Sequence, residues 1–361
     1  MHSPNSGAPG TGPENAVDEF DAIERLRARF EAAARGQYPD GEVPPFGDTW
    51  IGDDAAVVTT RAATTDDQAK RQANQANRAG TQEEAVRPST AQALLATDLI
   101  VEGVHVDLEL CSLEDVGYKA LMVTVSDLAA MGAWPEYALV SIAGPRGTDF
   151  DQLGAGLAAA AAETECVVVG GDLSQSPTLV ISTAAFGGLR GDTGHGPLLR
   201  SGASAGDFLF VTGPLGGSAA GLRLLRSGLA GSQATPALAR AYRRPRARLR
   251  QGEVARRAGA SGAIDISDGL AADIGHLARA SGVGMALDRL PVIDGATRDE
   301  ALNGGEEYEL LIATGEPERL VGAFEAEELR PPIPIGVCVA QLGQATLEGR
   351  PLPPGGWRHQ F

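Results

Sequence analysis

Short apolar runs alternate with helical and polar stretches along most of the chain, and several of these runs end in an aspartate. They are 91–98 (AQALLATD), 120–127 (ALMVTVSD), 166–172 (CVVVGGD) and 262–268 (GAIDISD). Short runs rich in β-branched residues are typical of buried strands. We therefore predict strands that end at Asp98, Asp127, Asp172 and Asp268, with Asp265 inside the last one. Helical sequence follows Asp127 and Asp268, and strands alternating with helices indicate an α/β or α+β fold.

The remaining pattern divides the chain into two predicted domains. Residues 17–35 have the apolar spacing of an amphipathic helix, and 178–190 read as the last strand of the first half. Residues 208–222 (FLFVTGPLGGSAAGL) predict a strand, a glycine-rich loop and a helix in the second half. We expect a domain over 17–192, a domain over 193–361, a disordered segment 1–16, and a disordered surface insertion over 60–90, where alanine is almost the only apolar residue.

Composition and charge exclude several classes of protein. The 361 residues carry a formal net charge of −17, which argues against binding to nucleic acid because a phosphate backbone needs a basic surface. The apolar stretches are too short and interrupted to span a membrane, and 1–17 lack the features of a secretory signal. Three widely spaced cysteines predict buried thiols in a reducing compartment. We expect a cytoplasmic protein that contacts neither membrane nor nucleic acid.

The aspartates are the candidate chemistry. Taken singly, Asp127 and Asp268 have the position of helix N-caps, and Asp54 in IGDDAAVV (51–58) has that of a turn residue. Ser126 and Ser267 already supply caps, however, and so many carboxylates brought together would repel one another. Bound cations would remove this repulsion, and oxygen ligands of this kind are those that Mg²⁺ prefers.

No familiar nucleotide-binding motif competes with this interpretation. The chain has two lysines, Lys70 and Lys119, and neither belongs to a GxxxxGK[ST] motif. The motifs of protein kinases are also absent from the sequence. The glycine-rich loop within 208–222 precedes a predicted helix, and this arrangement favours an anion site as well as a tight turn packed by small residues.

Seven segments in this order resemble the thiamine-monophosphate kinase family. They are IGDDAAVV (51–58), TDLIVEGVHV (97–106), YKALMVTVSDLAAMGA (118–133), GGD (170–172), VTGPLGGSAAGL (211–222), AIDISDGLAADIGHLARASGVG (263–284) and GGEEYELL (304–311). That family lies in a superfamily with aminoimidazole ribonucleotide synthetase. The resemblance implies a homodimer whose N-terminal α/β domains pair their sheets into a barrel, flanked by C-terminal α+β domains. It implies phosphoryl transfer from ATP to thiamine monophosphate, which gives thiamine diphosphate.

The same resemblance implies roles for individual residues. Those implied for several Mg²⁺ ions are Asp54, Thr97, Asp98, Asp127, Asp172, Asp265 and Asp268, of which Asp98, Asp127 and Asp265 are also implied as catalytic. Those implied for ATP are Gly171, Arg200 and Ser267, and those implied for thiamine monophosphate are His105, Glu306 and Trp357. Among the departures from the family, Val106 stands where phenylalanine is usual and Glu307 where aspartate is usual.

Three other interpretations stay open at this point. Other members of the superfamily share the aspartates, although the hydrogenase-maturation enzyme carries a reactive C-terminal cysteine where this sequence has WRHQF. A kinase of the GHMP class would use the glycine-rich loop but leaves the aspartates unexplained. An acidic scaffold would bind Mg²⁺ without turning over ATP.

Overall fold

The computed structural model describes residues 55–61, 90–191, 194–228 and 235–358. The helix predicted over 17–35, the segment 1–16, Asp54 and most of the 60–90 insertion lie outside these ranges. The described residues up to Gly356 form one compact unit, and Trp357 and Arg358 fall outside it. Among the described residues, no helix has both the length and the apolar character needed to cross a bilayer.

The described residues contain the following elements. The strands are β1 (Ala56–Arg61), β2 (Thr90–Val101), β3 (Trp134–Gly144), β4 (Val167–Gln175), β5 (Val180–Gly188), β6 (Phe208–Val211), β7 (Gly262–Asp265), β8 (Gly284–Leu287), β9 (Leu310–Thr314), β10 (Ile333–Val339), β11 (Ala345–Leu347) and β12 (Arg350–Pro351). The helices are α1 (Leu113–Ala130), α2 (Phe150–Thr164), α3 (Gly217–Arg226), α4 (Thr235–Arg243), α5 (Leu249–Arg257), α6 (Leu270–Ser281), α7 (Arg298–Asn303) and α8 (Pro317–Ala326).

The first sheet has the strand order β1-β2-β5-β3-β4 and is antiparallel except for the β3–β4 pair. One face is apolar and buried, and α1 packs on it with α2 behind. Ala138, Val140 and Ile142 of β3 point to this face, whereas the alternating Tyr137 and Leu139 are exposed on the other. An alternating strand of this kind is expected in a sheet that is covered on one side.

The second sheet has the order β12-β11-β8-β10-β6-β9-β7 and is covered on both faces near its centre. Leu209 and Val211 of β6 pack on the side of α6, while Phe210 packs with α5 and α8. This explains the continuous apolar run FLFV. The predicted strand over 178–190 and the predicted strand–loop–helix over 208–222 are confirmed as β5 and as β6 with α3.

The strand predicted to end at Asp127 is wrong, because residues 120–127 lie inside the 18-residue helix α1. This helix lies between the first sheet, α2, α5 and β7, so nearly all of its surface is buried. A helix buried on all sides has no polar stripe, and its Val- and Thr-rich sequence reads as a strand. Its start carries a recognisable signal, a capping box between Ser112 and Asp115.

The other strand ends also differ from the prediction. Asp98 and Asp172 lie inside β2 and β4, because sheet pairing continues past each apolar run as far as Val101 and Gln175. β7 ends at Asp265, and Asp268 follows it in the turn before α6. The aspartates therefore do not line one sheet edge, since β2 and β4 belong to the first sheet and β7 to the second.

β1 and β2 form an antiparallel pair in which Arg61 lies opposite Thr90. The predicted insertion is therefore shorter than 60–90 at both ends, and residues 62–89 connect two directly paired positions. We expect that replacing 62–89 by Asn-Gly, a sequence suited to two-residue hairpins, will leave activity unchanged and alter the unfolding free energy by less than about 2 kcal/mol, the scale of loop-closure entropy. Urea unfolding and a turnover assay of the shortened chain test this. Loss of activity or aggregation would show that the segment has a structural or catalytic role.

Candidate active site

Three aspartates that lie far apart in sequence act electrostatically on the buried phenol of Tyr308. Burial raises the pKa of Tyr308 well above its ordinary value, and the negative charges of Glu306, Asp98, Asp265 and Asp127 raise it further. Charges have such an effect only at short range. The first sheet, the end of α1, the end of β7 and the loop at Glu306 thus each place a carboxylate within electrostatic range of Tyr308.

A hydrogen bond fixes the junction on which two of these aspartates lie. The Ser126 hydroxyl donates to the Asp265 carboxylate at 2.6 Å, and both residues are buried. Asp127 is the next residue and lies in the last turn of α1, which ends at Ala130. The C-terminal end of a helix carries partial negative charge and disfavours a carboxylate. A cation at this junction would offset both that effect and the repulsion between carboxylates.

Asp268 lies at a second group of ligand-type atoms, at the start of α6. The Asp273 carboxylate accepts the backbone N–H groups of Asp268 at 3.2 Å and Gly269 at 3.0 Å. Carboxylate oxygens of Asp268 and Asp273 and a ring nitrogen of His276 all lie within 4.8 Å of one another. The carbonyl of the neighbouring Ser267 accepts the N–H of Glu306 at 2.7 Å, which links this turn to the 304–309 loop.

A cavity of about 430 Å³ brings together His105 and Glu306. Its acidic lining residues are Glu102, Asp107, Glu109 and Glu306. His105 Nδ1 accepts the N–H of Val101 at 3.0 Å, so in the neutral imidazole the proton is on Nε2. Glu306 has φ +63° and forms an ion pair with Lys119, with Nζ and Oε1 2.6 Å apart.

The family of this chain follows from its similarity to known proteins. Family models described as AIR synthase related protein, N-terminal domain and C-terminal domain, match residues 52–189 and 204–346. The chain belongs to the AIR synthase related family. Its relatives include the thiamine-monophosphate kinases of Salmonella typhimurium, 36% identical over 73% of this chain and 82% of the relative, and of Bacillus subtilis, 32% identical over 88% and 90%. The family predicted from the sequence motifs is thereby confirmed.

Solved structures give the same assignment. AaThiL complexed with AMPPCP and TMP has a TM-score of 0.73 at 29% identity, over 95% of this chain and 97% of that one. Thiamine-monophosphate kinase from Stenotrophomonas maltophilia has a TM-score of 0.65 at 29% identity, over 82% and 99%. A HypE structure in complex with ATP, at 21% identity and a TM-score of 0.59, shares the fold. The mixed α/β architecture with two domains of the AIR synthase related type is therefore established.

Other residues implied by the family resemblance lie elsewhere in the fold. The Thr97 hydroxyl donates to the carbonyl of Thr183 at 3.0 Å, and its side chain is on the sheet face opposite to that of Asp98. Arg200 lies in the segment between the two sheets, where its carbonyl accepts the Ser281 hydroxyl. Trp357 is half exposed and lies outside the compact unit.

Asp172 and Gly171 are also separate from the aspartates around Tyr308. They lie on β4, three strands from Asp98, which corresponds to about 14 Å at the usual spacing between strands. Asp172 pairs with Ser141 and points to the open face of the sheet. A side chain at Gly171 would collide with the carbonyl of Val140, so the neighbouring strand leaves room only for glycine.

The glycine-rich loop of this AIR synthase related chain does hold an anion, but the anion is its own Glu307. The Glu307 carboxylate accepts the N–H of Ser218 at 3.0 Å and those of Gly216 and Gly217 at the start of α3. Gly216 has φ +95°, a conformation that suits glycine. The carboxylate therefore occupies the position where the sequence predicts a bound anion.

Burial raises the pKa of Glu307 from 4.5 to about 7, although the three N–H groups act in the opposite direction. The folded protein thus holds this proton more tightly than the unfolded chain, and stability falls as pH rises between about 4.5 and 7. Glu307→Gln cannot ionise, so its unfolding free energy lacks this loss with pH. We therefore expect the stability of the variant relative to wild type to be about 1–3 kcal/mol more favourable at pH 8 than at pH 4.5. Urea unfolding at both pH values measures this difference. A difference in unfolding free energy between variant and wild type that is the same at both pH values would contradict this prediction.

Two side chains at the site carry no clear signal in the sequence pattern. Tyr308 reads as one more apolar residue of GGEEYELL, and its place among the carboxylates depends on contacts between distant segments. Lys119 interrupts the apolar stretch of α1. A lone lysine within an apolar run is the available signal, because a buried ammonium requires a partner.

Proposed function

We propose that the protein is a thiamine-monophosphate kinase, which transfers the γ-phosphoryl group of ATP to thiamine monophosphate and yields thiamine diphosphate and ADP. The observation that carries this proposal is the position of Glu306. Its carboxylate lines the acidic cavity and also acts on Tyr308 together with Asp98, Asp127 and Asp265. A substrate in the cavity would thus lie next to the carboxylate group, and the names of the relatives agree with this chemistry.

The cavity suits the organic part of thiamine monophosphate. A volume of about 430 Å³ is within the usual range for small-molecule sites. The thiazolium ring is a cation, and the cavity is lined by four carboxylates and by Arg226. Tyr242 also lines it and offers an aromatic surface to a flat ring. His105 presents an Nε2–H donor, with its other nitrogen held by the backbone.

The carboxylates fit magnesium. Asp98, Asp127 and Asp265 offer only hard oxygen donors, and their mutual repulsion calls for positive charge. We propose that they hold several Mg²⁺ ions together with Asp268, Asp54 and the backbone carbonyl of Thr97. When bound, Mg²⁺ would neutralise the phosphate oxygens and orient them for in-line transfer.

The protein's own groups need to supply alignment rather than a strong base. The attacking oxygen of a phosphate monoester is already anionic near neutral pH, so no proton must be removed first. We propose that Ser267, Arg200 and the backbone of Gly171 position ATP. Glu306 and His105 would hold the acceptor on the other side of the carboxylates, which shortens the path between donor and acceptor. Use of ATP and three buried free thiols agree with the predicted cytoplasmic location.

We propose that two chains pair the open faces of their first sheets into the barrel that the family resemblance implies. The open face and the edge strand β4 expose large apolar side chains, including Leu99, Tyr137, Leu139 and Val169. β1 pairs with β2 only over residues 90–95, so within the described residues the half of β2 from 96 to 101 has an open edge. The opposite edge is β4, which is exposed along its length. Two open edges on each chain allow a closed dimer.

This dimer would also explain the separation of Asp172 from Asp98. If β4 of one chain lies beside the open half of β2 in the other, Asp172 of the partner subunit approaches the stretch of β2 that carries Thr97 and Asp98, on the face of Thr97. Each site would then combine carboxylates from two chains. A homodimer is therefore part of the proposed function rather than an addition to it.

The proposal is tested by incubating the protein with ATP, Mg²⁺ and thiamine monophosphate and separating the products by chromatography. Thiamine diphosphate and ADP are expected in equal amounts, and chelation of the metal is expected to stop their formation. If thiamine monophosphate is inert while another phosphorylated metabolite releases ADP, the named substrate is wrong. If no metabolite releases ADP, the protein binds metal without kinase activity.

Glu306→Gln is expected to raise the KM for thiamine monophosphate about ten-fold or more, which corresponds to about 1–2 kcal/mol of binding. The reason is that the carboxylate at the cavity wall loses its charge, whereas ATP is held elsewhere. Trp357→Ala is expected to act in the same direction if the indole stacks on the substrate ring. Steady-state kinetics with each substrate varied in turn measure both constants, and Glu318→Gln on exposed α8 is the control. Equal increases for ATP and thiamine monophosphate would show that these residues are structural.

A further inference from the structure

Lys119 is completely buried, although lysine is rarely inside a protein, and it contacts three residues that line the cavity. Its ammonium lies 2.6 Å from the Glu306 carboxylate and donates to the carbonyl of His105 at 3.3 Å. It also lies 4.8 Å from the centre of the Tyr242 ring. These contacts come from three separate segments of the chain: the turn after β2, α4 and the 304–309 loop.

A buried ammonium is costly unless it is paired. Glu306 supplies that partner to Lys119, while its own side chain stays 26% exposed toward the cavity. Glu306 also has φ +63°, in the left-handed region that a residue with a side chain seldom adopts. A strained backbone of this kind persists only where surrounding contacts hold it. The ion pair is one such contact, and it acts on the carboxylate itself.

We propose that Lys119 is a positioning residue for the acceptor substrate. It holds the Glu306 carboxylate and the His105 turn in the geometry that binds the thiamine part of the acceptor. This inference rests on the proposed function and adds to it a residue with a defined partner. Lys119 acts through Glu306 and His105, and it has no role toward ATP.

The Lys119–Glu306 ion pair predicts that substitutions at the two residues have non-additive effects. Removing the charge of Glu306 leaves the buried Lys119 ammonium without its ion-pair partner, and removing that of Lys119 leaves the Glu306 carboxylate without the contact that holds it. Removing both charges leaves neither group without its partner. If Lys119 acts through Glu306, its loss should have little further effect on acceptor binding once Glu306 is already neutral. Coupling between two residues in contact is what a double-mutant cycle measures.

The experiment compares Lys119→Met, Glu306→Gln and the double variant with wild type, using KM for thiamine monophosphate, KM for ATP and the melting temperature. Each single variant is expected to raise the KM for thiamine monophosphate about ten-fold and that for ATP less than two-fold. The double variant is expected to stay near ten-fold rather than reach about 100-fold, and to melt higher than either single variant. Lys119→Arg, which keeps the charge, should recover part of the loss.

The control is Arg256→Lys, at another buried cation, whose guanidinium donates to the carbonyls of Gly132, His195 and Arg190. It is expected to lower the melting temperature without raising the KM for thiamine monophosphate more than the KM for ATP. Two results overturn the role of Lys119: an increase in the KM for thiamine monophosphate of about 100-fold in the double variant, or equal increases of both KM values in Lys119→Met. The proposed function stands in either case as long as the wild-type protein produces thiamine diphosphate. If Lys119→Met does not fold, the double variant and Lys119→Arg still test the coupling. A wild-type protein that produces no thiamine diphosphate overturns the proposed function and this inference with it.

Discussion

Replacing Asp127 by asparagine is expected to lower kcat by about three orders of magnitude, the scale seen when one group that stabilises the transition state is removed. Asp127 follows Ser126, which donates a hydrogen bond to Asp265 at the junction of α1 and β7, and it acts on the same tyrosine as Asp98. Its charge would hold metal at the place where the phosphoryl group transfers. Asparagine keeps the shape of the side chain and removes the charge. Single-turnover kinetics with saturating ATP and Mg²⁺ measure this loss.

The melting temperature of Asp127→Asn shows whether its lower kcat comes from lost catalysis or from unfolding. Asparagine relieves repulsion between carboxylates and removes negative charge from the C-terminal turn of α1. Without metal, the variant is therefore expected to melt no lower than wild type. With Mg²⁺ and ATP present, it should gain less stability than wild type, because ligands stabilise a protein in proportion to how well it binds them. Turnover near the wild-type level in the folded variant would show that Asp127 has no role in the reaction.

Two inactive variants are expected to restore activity when they are combined in one dimer. Chains carrying Asp127→Asn and chains carrying Asp172→Asn are coexpressed with different tags, and the heterodimer is purified. If each site uses Asp127 of one chain and Asp172 of the partner subunit, one site carries both substitutions and the other carries none. Such a heterodimer should show about half of wild-type activity.

The same heterodimer is expected to be inactive if each site is built from a single chain. If both aspartates of a site come from one chain, each site of the heterodimer carries one substitution and the dimer stays inactive. Light scattering confirms that a dimer is present before activity is measured. A monomer that is fully active would contradict the barrel and the shared site together.

The comparison of sequence with structure shows which features a local pattern can predict. The β6–α3 unit was predictable because strand, glycine and helix signals follow one another within 15 residues. Helix α1 was missed because it is apolar on all sides, and periodicity identifies a helix only where one side meets water. The strand edge that the sequence predicts for Asp98, Asp127 and Asp265 is wrong, because Asp127 lies at the end of a buried helix and the other two belong to different sheets. All three nevertheless act on the pKa of Tyr308.

Charged partners were the least predictable part of the site. The family resemblance implies a substrate role for Glu306, but nothing local in the sequence indicates that Lys119, 187 positions earlier, pairs with it. The same holds for Glu307, whose carboxylate accepts the N–H of Ser218 at the start of α3, 89 positions earlier in the sequence. Such pairs depend on how separate segments pack, so they become visible only in three dimensions.

The adjacency of Arg61 and Thr90 has a consequence for how this protein can change over evolution. Extra residues between two paired positions cost only loop-closure entropy, which grows with the logarithm of their number. The connection can therefore lengthen or shorten with little effect on folding, and selection on its length is weak. A small domain whose own ends lie close together should be accommodated there, so this hairpin is a natural position for fusing a reporter or a new binding module into the chain.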